Sequence, residues 1–160
     1  MNNSPKLFYL FGDQYMKSIS LAAVMFAALC SSAPAFAAPV EARFENLGSA
    51  PMVLLKVRSC GVVKPTPPTV ATGQTSSPSD VDCGGDVSVI IATYTMGNKD
   101  CTFDISTIYT DSSPLIPGST GYWTPRVSAI GSSNATCKVI NENISELRTT
   151  GKFSATFTMK

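Results

Sequence analysis

The stretch Lys152-Phe153-Ser154-Ala155-Thr156-Phe157-Thr158-Met159 decides the fold class. Phe153, Ala155, Phe157 and Met159 fall on one side of an extended chain, and Lys152, Ser154, Thr156 and Thr158 on the other. Strict alternation is the signature of a half-buried β-strand. The same period recurs upstream. Val40, Ala42 and Phe44 alternate with Glu41, Arg43 and Glu45, and a second strand runs from Met52 to Arg58 and on to Cys60. The turn-rich Asn46-Leu47-Gly48-Ser49-Ala50-Pro51 between them predicts an N-terminal β-hairpin.

Further along, Asp86–Thr95 holds Val87, Val89, Ile90 and Ile91, the most apolar strand of the chain. The Gly97-Asn98 turn leads into Cys101-Thr102-Phe103-Asp104-Ile105, and the two strands together predict a central hairpin. Two more strands, Tyr122–Ile130 and Ala135–Ile140, flank Gly131-Ser132-Ser133-Asn134, and Asn143–Leu147 predicts one helical turn. About seven short strands separated by turn signals imply an all-β fold: a small antiparallel β-sandwich, immunoglobulin-like or related. Its expected core is Phe44, Met52, Leu54, Val87, Val89, Ile91, Phe103, Ile105, Val139, Phe153 and Phe157. Two polar segments interrupt the pattern. Residues 61–82 carry Pro65, Pro67, Pro68 and Pro78 and predict an exposed, extended loop with room for a short strand at Thr69–Thr72. Residues 111–121 predict a second loop, which opens the 111–126 segment.

The N-terminal region has a different character. Lys17, the apolar stretch Ile19–Leu29 and the Ala35-Phe36-Ala37 site form a secretory signal, shorter than the roughly 20 apolar residues a spanning helix needs. Residues 1–37 are therefore expected to be a signal peptide with an N-terminal extension, removed to leave one secreted domain, 38–160. Cys30 leaves with the signal. Leu29 before it is too large for a lipoprotein cleavage site, so no lipid anchor is expected.

Cys60, Cys83, Cys101 and Cys137 remain, an even number in an exported chain, which reads as two disulfides. Pairing Cys60 with Cys83 and Cys101 with Cys137 lets each bridge bracket its own half of the chain, while spacing leaves two other connectivities open. With no C-x-x-C and no histidine anywhere, no metal site is expected. The missing histidine also excludes Ser-His-Asp and Cys-His catalysis. Of 12 Lys and Arg and 11 Asp and Glu, removal of Lys6, Lys17 and Asp13 leaves ten of each in 38–160. A neutral domain without a basic block gives no footprint for nucleic acid.

Candidate sites are few. Tyr122-Trp123-Thr124-Pro125-Arg126 offers aromatic rings beside an arginine, suited to stacking on a sugar or lying at a lipid interface, so Tyr122, Trp123 and Arg126 are the candidate ligand-binding residues. The competing reading buries Trp123 in the sandwich. Asp80, Asp82 and Asp86 around Cys83-Gly84-Gly85 carry oxygen ligands of the type calcium uses, but lack a full calcium loop and read as a polar turn. Asp104, Asp111 and Glu142 are carboxylates without a fixed separation. Asn134-Ala135-Thr136 and Asn143-Ile144-Ser145 match glycosylation acceptors, which the bacterial character of the signal reduces to chance.

The chain is expected to be a secreted or periplasmic, non-enzymatic binding protein without a cofactor, a surface-associated or adhesion-type module presenting segments 61–82 and 111–126. Its expected partner is a protein or a cell-surface glycan, and the C-terminal strand is expected to be an open edge for strand addition. The alternatives are a membrane-active, toxin-like sandwich, and an exported enzyme inhibitor using the proline-rich loop. Oligomeric state is not legible. The signal, the disulfides and the Gly151–Phe157 strand give a general likeness to small exported β-sandwich proteins of bacteria, such as pilin-like subunits.

Overall fold

The C-terminal alternation persists in three dimensions, where Phe153, Ala155, Phe157 and Met159 are all buried. The computed structural model describes residues 38–110 and 121–160; the expected signal segment and residues 111–120 lie outside them. Eight strands form: β1 (Val40–Asn46), β2 (Val53–Ser59), β3 (Ser79–Val81), β4 (Val87–Met96), β5 (Lys99–Thr110), β6 (Tyr122–Ser132), β7 (Cys137–Glu142) and β8 (Phe153–Met159). One helix, α1 (Ile144–Thr150), precedes β8. The strands make two four-stranded sheets, ordered β3-β1-β8-β7 and β2-β4-β5-β6. The architecture is the expected all-β sandwich, with one strand more than the sequence patterning gave.

The extra strand, β3, lies inside the proline-rich segment and pairs antiparallel with β1, Ala42 opposite Ser79. The strand expected at Thr69–Thr72 reduces to a single bridge between Met52 and Val70. The expected N-terminal hairpin does not form. β1 and β2 belong to different sheets, and β1 runs parallel to β8 from Val40↔Phe153 to Asn46↔Met159. The buried Asn46 side chain explains the crossover. Its Nδ2 donates to the carbonyls of Ala50 and Val70, 2.9 Å each, and its Oδ1 accepts the Gly48 N–H. These bonds turn the chain away from β1 and toward the other sheet, while β1 receives a partner whose alternation matches its own. Being paired on both sides, β8 is an interior strand, which corrects the expectation that it forms an open edge.

The central hairpin of β4 and β5 forms as expected, with Met96 opposite Lys99. Its inward side is different. Ser88, Ile90, Ala92, Tyr94 and Met96 are buried, whereas Val87, Val89 and Ile91 point outward and Val87 is 42% exposed. The sandwich centre decides this phase. Phe44, Tyr94, Phe103 and Phe157 form one aromatic cluster, with Phe44–Tyr94 centroids 4.8 Å apart and Phe103–Phe157 5.0 Å apart. A buried aromatic ring removes about 150–250 Å² from water, more than a valine side chain can, so facing Tyr94 inward outweighs facing Val89 inward. The other expected core residues are buried, apart from Leu54 and Val139, which are half-buried against the cluster.

Both expected disulfides are present, Cys60–Cys83 and Cys101–Cys137. Each ties one sheet to the other: Cys60 follows β2 and Cys83 follows β3, while Cys101 lies in β5 and Cys137 in β7. At the β6–β7 corner the chain changes sheets through Ser133 and Asn134, both at positive φ. Gly131 is required there. A Cβ on it would stand 2.6 Å from the Ala135 carbonyl oxygen and 2.8 Å from the Cys137 sulfur. The helical turn expected at Asn143 extends to Thr150. Asn143 Oδ1 caps it by accepting the Glu146 N–H, buried Leu147 anchors it, and Gly151 ends it in the left-handed conformation.

Candidate functional site

The proline-rich segment is fastened along the sandwich. Lys64 and Asp80 exchange both backbone hydrogen bonds, as do Met52 and Val70. Gly73 donates to the Asn46 carbonyl, Asn46 to the Gln74 carbonyl, and Tyr94 Oη to the Pro68 carbonyl. Residues 64–78 lie extended and largely exposed, yet pinned at both ends and in the middle. The segment covers the far side of β1 instead of projecting from it.

Among the described residues no element covers the outward side of the β2-β4-β5-β6 sheet. The strand registers arrange its side chains in rows: Arg58, Ile91, Asp104 and Ser128 in one; Val89, Ser106 and Arg126 in the next; then Val87, Ile108 and Thr124. On the other flank the rows read Lys56, Thr93, Thr102 and Ile130. Among the described residues nine large hydrophobic side chains are exposed, and Val53, Leu55, Val87, Tyr122 and Ile130 of this sheet account for five of them. β4 is therefore apolar on both sides, a composition usual for strands covered on both faces. Asp104 stands in the middle of this surface. Partial burial holds its carboxyl above the usual aspartate value, and among the described residues it has no ion-pair partner. Sequence reading missed this surface because it assigned Val87, Val89 and Ile91 to the core.

The three candidate ligand-binding residues do not converge. Tyr122 and Arg126 occupy outward positions of β6 and are exposed, Tyr122 at 59%. Trp123 points the other way. It sits opposite Tyr109 with ring centroids 6.1 Å apart and packs half-buried against the core. Tyr122 and Arg126 thus belong to the open sheet face, while Trp123 closes the end of the sandwich beneath them.

A second, polar depression lies on the opposite sheet, a shallow groove of about 400 Å³ lined by Glu41, Arg43, Asn141, Glu142, Asn143, Glu146, Ser154 and Thr156. Glu41 pairs with Lys152 and with Arg43, the latter at 3.1 Å. Burial pushes its carboxyl upward, but the hydrogen bonds from Lys152 and Arg43 outweigh that and hold it below the usual glutamate value. Glu41 and Arg43 are thus already engaged with each other, Glu146 accepts from Asn143 Nδ2, and no aromatic ring lines the groove.

The remaining candidates are scattered. Asp82 Oδ1 accepts the Gly84 N–H at 3.1 Å, the geometry of a self-satisfied turn. Among the described residues no group of three His, Cys, Asp or Glu side chains is placed to hold a metal ion. Asp104 and Glu142 are on different sheets, and Asp111 lies outside the described residues. Asn134 is exposed at the β6–β7 corner, whereas Asn143 is engaged as the helix cap. The chain matches no family model, no curated protein and no solved structure, so its role rests on its own surfaces.

Proposed function

We propose that the protein is an exported, non-enzymatic interaction module that binds a protein partner through the outward face of the β2-β4-β5-β6 sheet. One observation carries this reading. β4 presents Val87, Val89 and Ile91 on a face that no element of the described fold covers, and uncovered apolar surface of this kind marks contact sites. Tyr122 and Arg126 lie on the same face, and both residue types are enriched at protein interfaces. The two disulfides are compatible with an oxidising compartment, outside the cell or in the periplasm, and they hold the sheets rigid so that the face is pre-organised for binding.

The test is a photo-reactive residue placed at Ser128, an exposed outward position on edge strand β6 directly beside Asp104, in cells that export the protein. A discrete adduct from Ser128, absent when the same group stands at Lys138 on the other sheet, is the expected result. Equal labelling from both positions, or none from Ser128, overturns the reading.

A further inference from the structure

We propose that the partner covering this face is a second copy of the chain, which packs face to face as an isologous dimer. The inference rests on the interaction face just assigned and adds the identity of its occupant. It begins with what the edges exclude. β2 carries a bulge at Leu55 followed by Lys56 and Arg58, and β6 has Pro125 within it. β7 breaks register between Val139 and Asn141, and β3 is three residues long, with its Asp80 bridged to Lys64. These are the devices by which sheets prevent edge-to-edge addition. Association then has to use a face.

The charges on this face suit its own copy. Asp104 is central, with Arg58 two strands away in the same row and Arg126 one strand and one row away. Among the described residues neither arginine forms an ion pair, and none closes on Asp104. A two-fold axis running between Arg126 and Asp104 lays each copy's Arg126 guanidinium over the other's Asp104 carboxylate, a pair made twice per dimer because isologous contacts are reciprocal, with Arg58 adding positive charge to the same face. The apolar stripe of Val87, Val89 and Ile91 is brought against the other copy's face at the ordinary sheet-packing distance of about 10 Å. Four strands about 4.8 Å apart and roughly 30 Å long give a flat footprint of about 550 Å². Side-chain relief raises that toward the roughly 800 Å² per partner of a standard stable interface. A domain with ten residues of each charge sign in 38–160 also has no net repulsion to oppose pairing.

The experiment is sedimentation of oxidised 38–160 and two charge variants, D104R and the double variant R58D/R126D. Wild type is expected to be a dimer at tens of micromolar. D104R places positive groups, and R58D/R126D negative groups, at all three of these positions, so each alone is expected to dissociate at least tenfold more readily. Mixed one to one, they are expected to restore a heterodimer. A monomeric wild type at about 100 micromolar overturns the proposal, as does a dimer indifferent to all three substitutions. Should a variant not fold by near-ultraviolet circular dichroism, cross-linking of purified wild type from a photo-reactive group at Ser128 decides instead: a product of twice the chain mass supports self-pairing, and its absence overturns it. In exporting cells, a Ser128 adduct of another mass would overturn self-pairing while leaving the interaction face in place; no adduct at all would overturn both.

Discussion

Phe44 on β1 and Phe157 on β8 are direct partners in a parallel register, their ring centroids 5.8 Å apart and their planes 19° from parallel. The pair joins the first and last strands of the domain at the centre of its aromatic cluster. Phe44→Ala is expected to cost about 3–5 kcal/mol, read as a lower denaturation midpoint for oxidised 38–160. A loss below about 1 kcal/mol would mean that β1 is not integral to the core.

Asn46 holds the crossover between the sheets by three hydrogen bonds. Asn46→Ala leaves the Ala50 and Val70 carbonyls and the Gly48 N–H without this partner, and is expected to cost about 1–3 kcal/mol. Ser49→Ala, exposed in the same turn, is the control and should change stability by less than about 0.5 kcal/mol. Equal effects from the two would refute the role given to the amide.

Each disulfide spans the two sheets, with sequence separations of 23 and 36. Replacing either pair by serine is expected to cost about 3–4 kcal/mol through the freed unfolded chain. Chemical denaturation of the two double-serine variants measures this, and either one matching wild type would remove the bridge from the stability account.

Glu41 and Asp104 predict opposite pH dependences. Glu41 is held below the ordinary value of 4.5 by Lys152 and Arg43 despite its burial. Its contribution is present above 4.5 and is lost as the pH falls through its own lower value. Glu41→Gln should therefore flatten the acid limb of the stability curve and leave a less stable protein at neutral pH. Denaturation midpoints between pH 2 and 7 provide the measurement.

Asp104 is raised above 3.8 by burial, so the native state binds its proton more tightly than the unfolded chain. Stability from this group is full at low pH and declines as the pH rises through that higher value. Asp104→Asn is expected to stabilise the isolated domain at neutral pH, measured at submicromolar protein, while weakening self-association at high concentration. A single effect of the same sign in both assays would contradict the placement of this carboxylate.

Seven of the eight strands, the presence of two disulfides and the sandwich class were legible in the sequence because period-two alternation and cysteine count are local properties, whereas the choice among three disulfide connectivities was left to the fold. The misplaced stripe of β4 shows where this stops. Val87-Ser88-Val89-Ile90-Ile91-Ala92 is apolar in both phases, and periodicity cannot choose between them. The aromatic cluster chose, by drawing Tyr94 inward beside Phe44 and Phe103. Of the candidate site, Tyr122 and Arg126 were found by residue type, but their separation from Trp123 follows from pairing Trp123 with Tyr109.

The sequence by itself determined that the 38–160 region is a β-sandwich with inter-segment disulfides and no histidine chemistry, since each of these follows from residue type and spacing. Only the tertiary structure decided which strand lies beside which. The parallel partnership of β1 with β8, the fastening of the proline-rich segment along β1 and the open face of β4 all depend on contacts between residues far apart in the chain. Such contacts are set by how the aromatic rings fill one shared core, a condition that no single stretch of sequence contains.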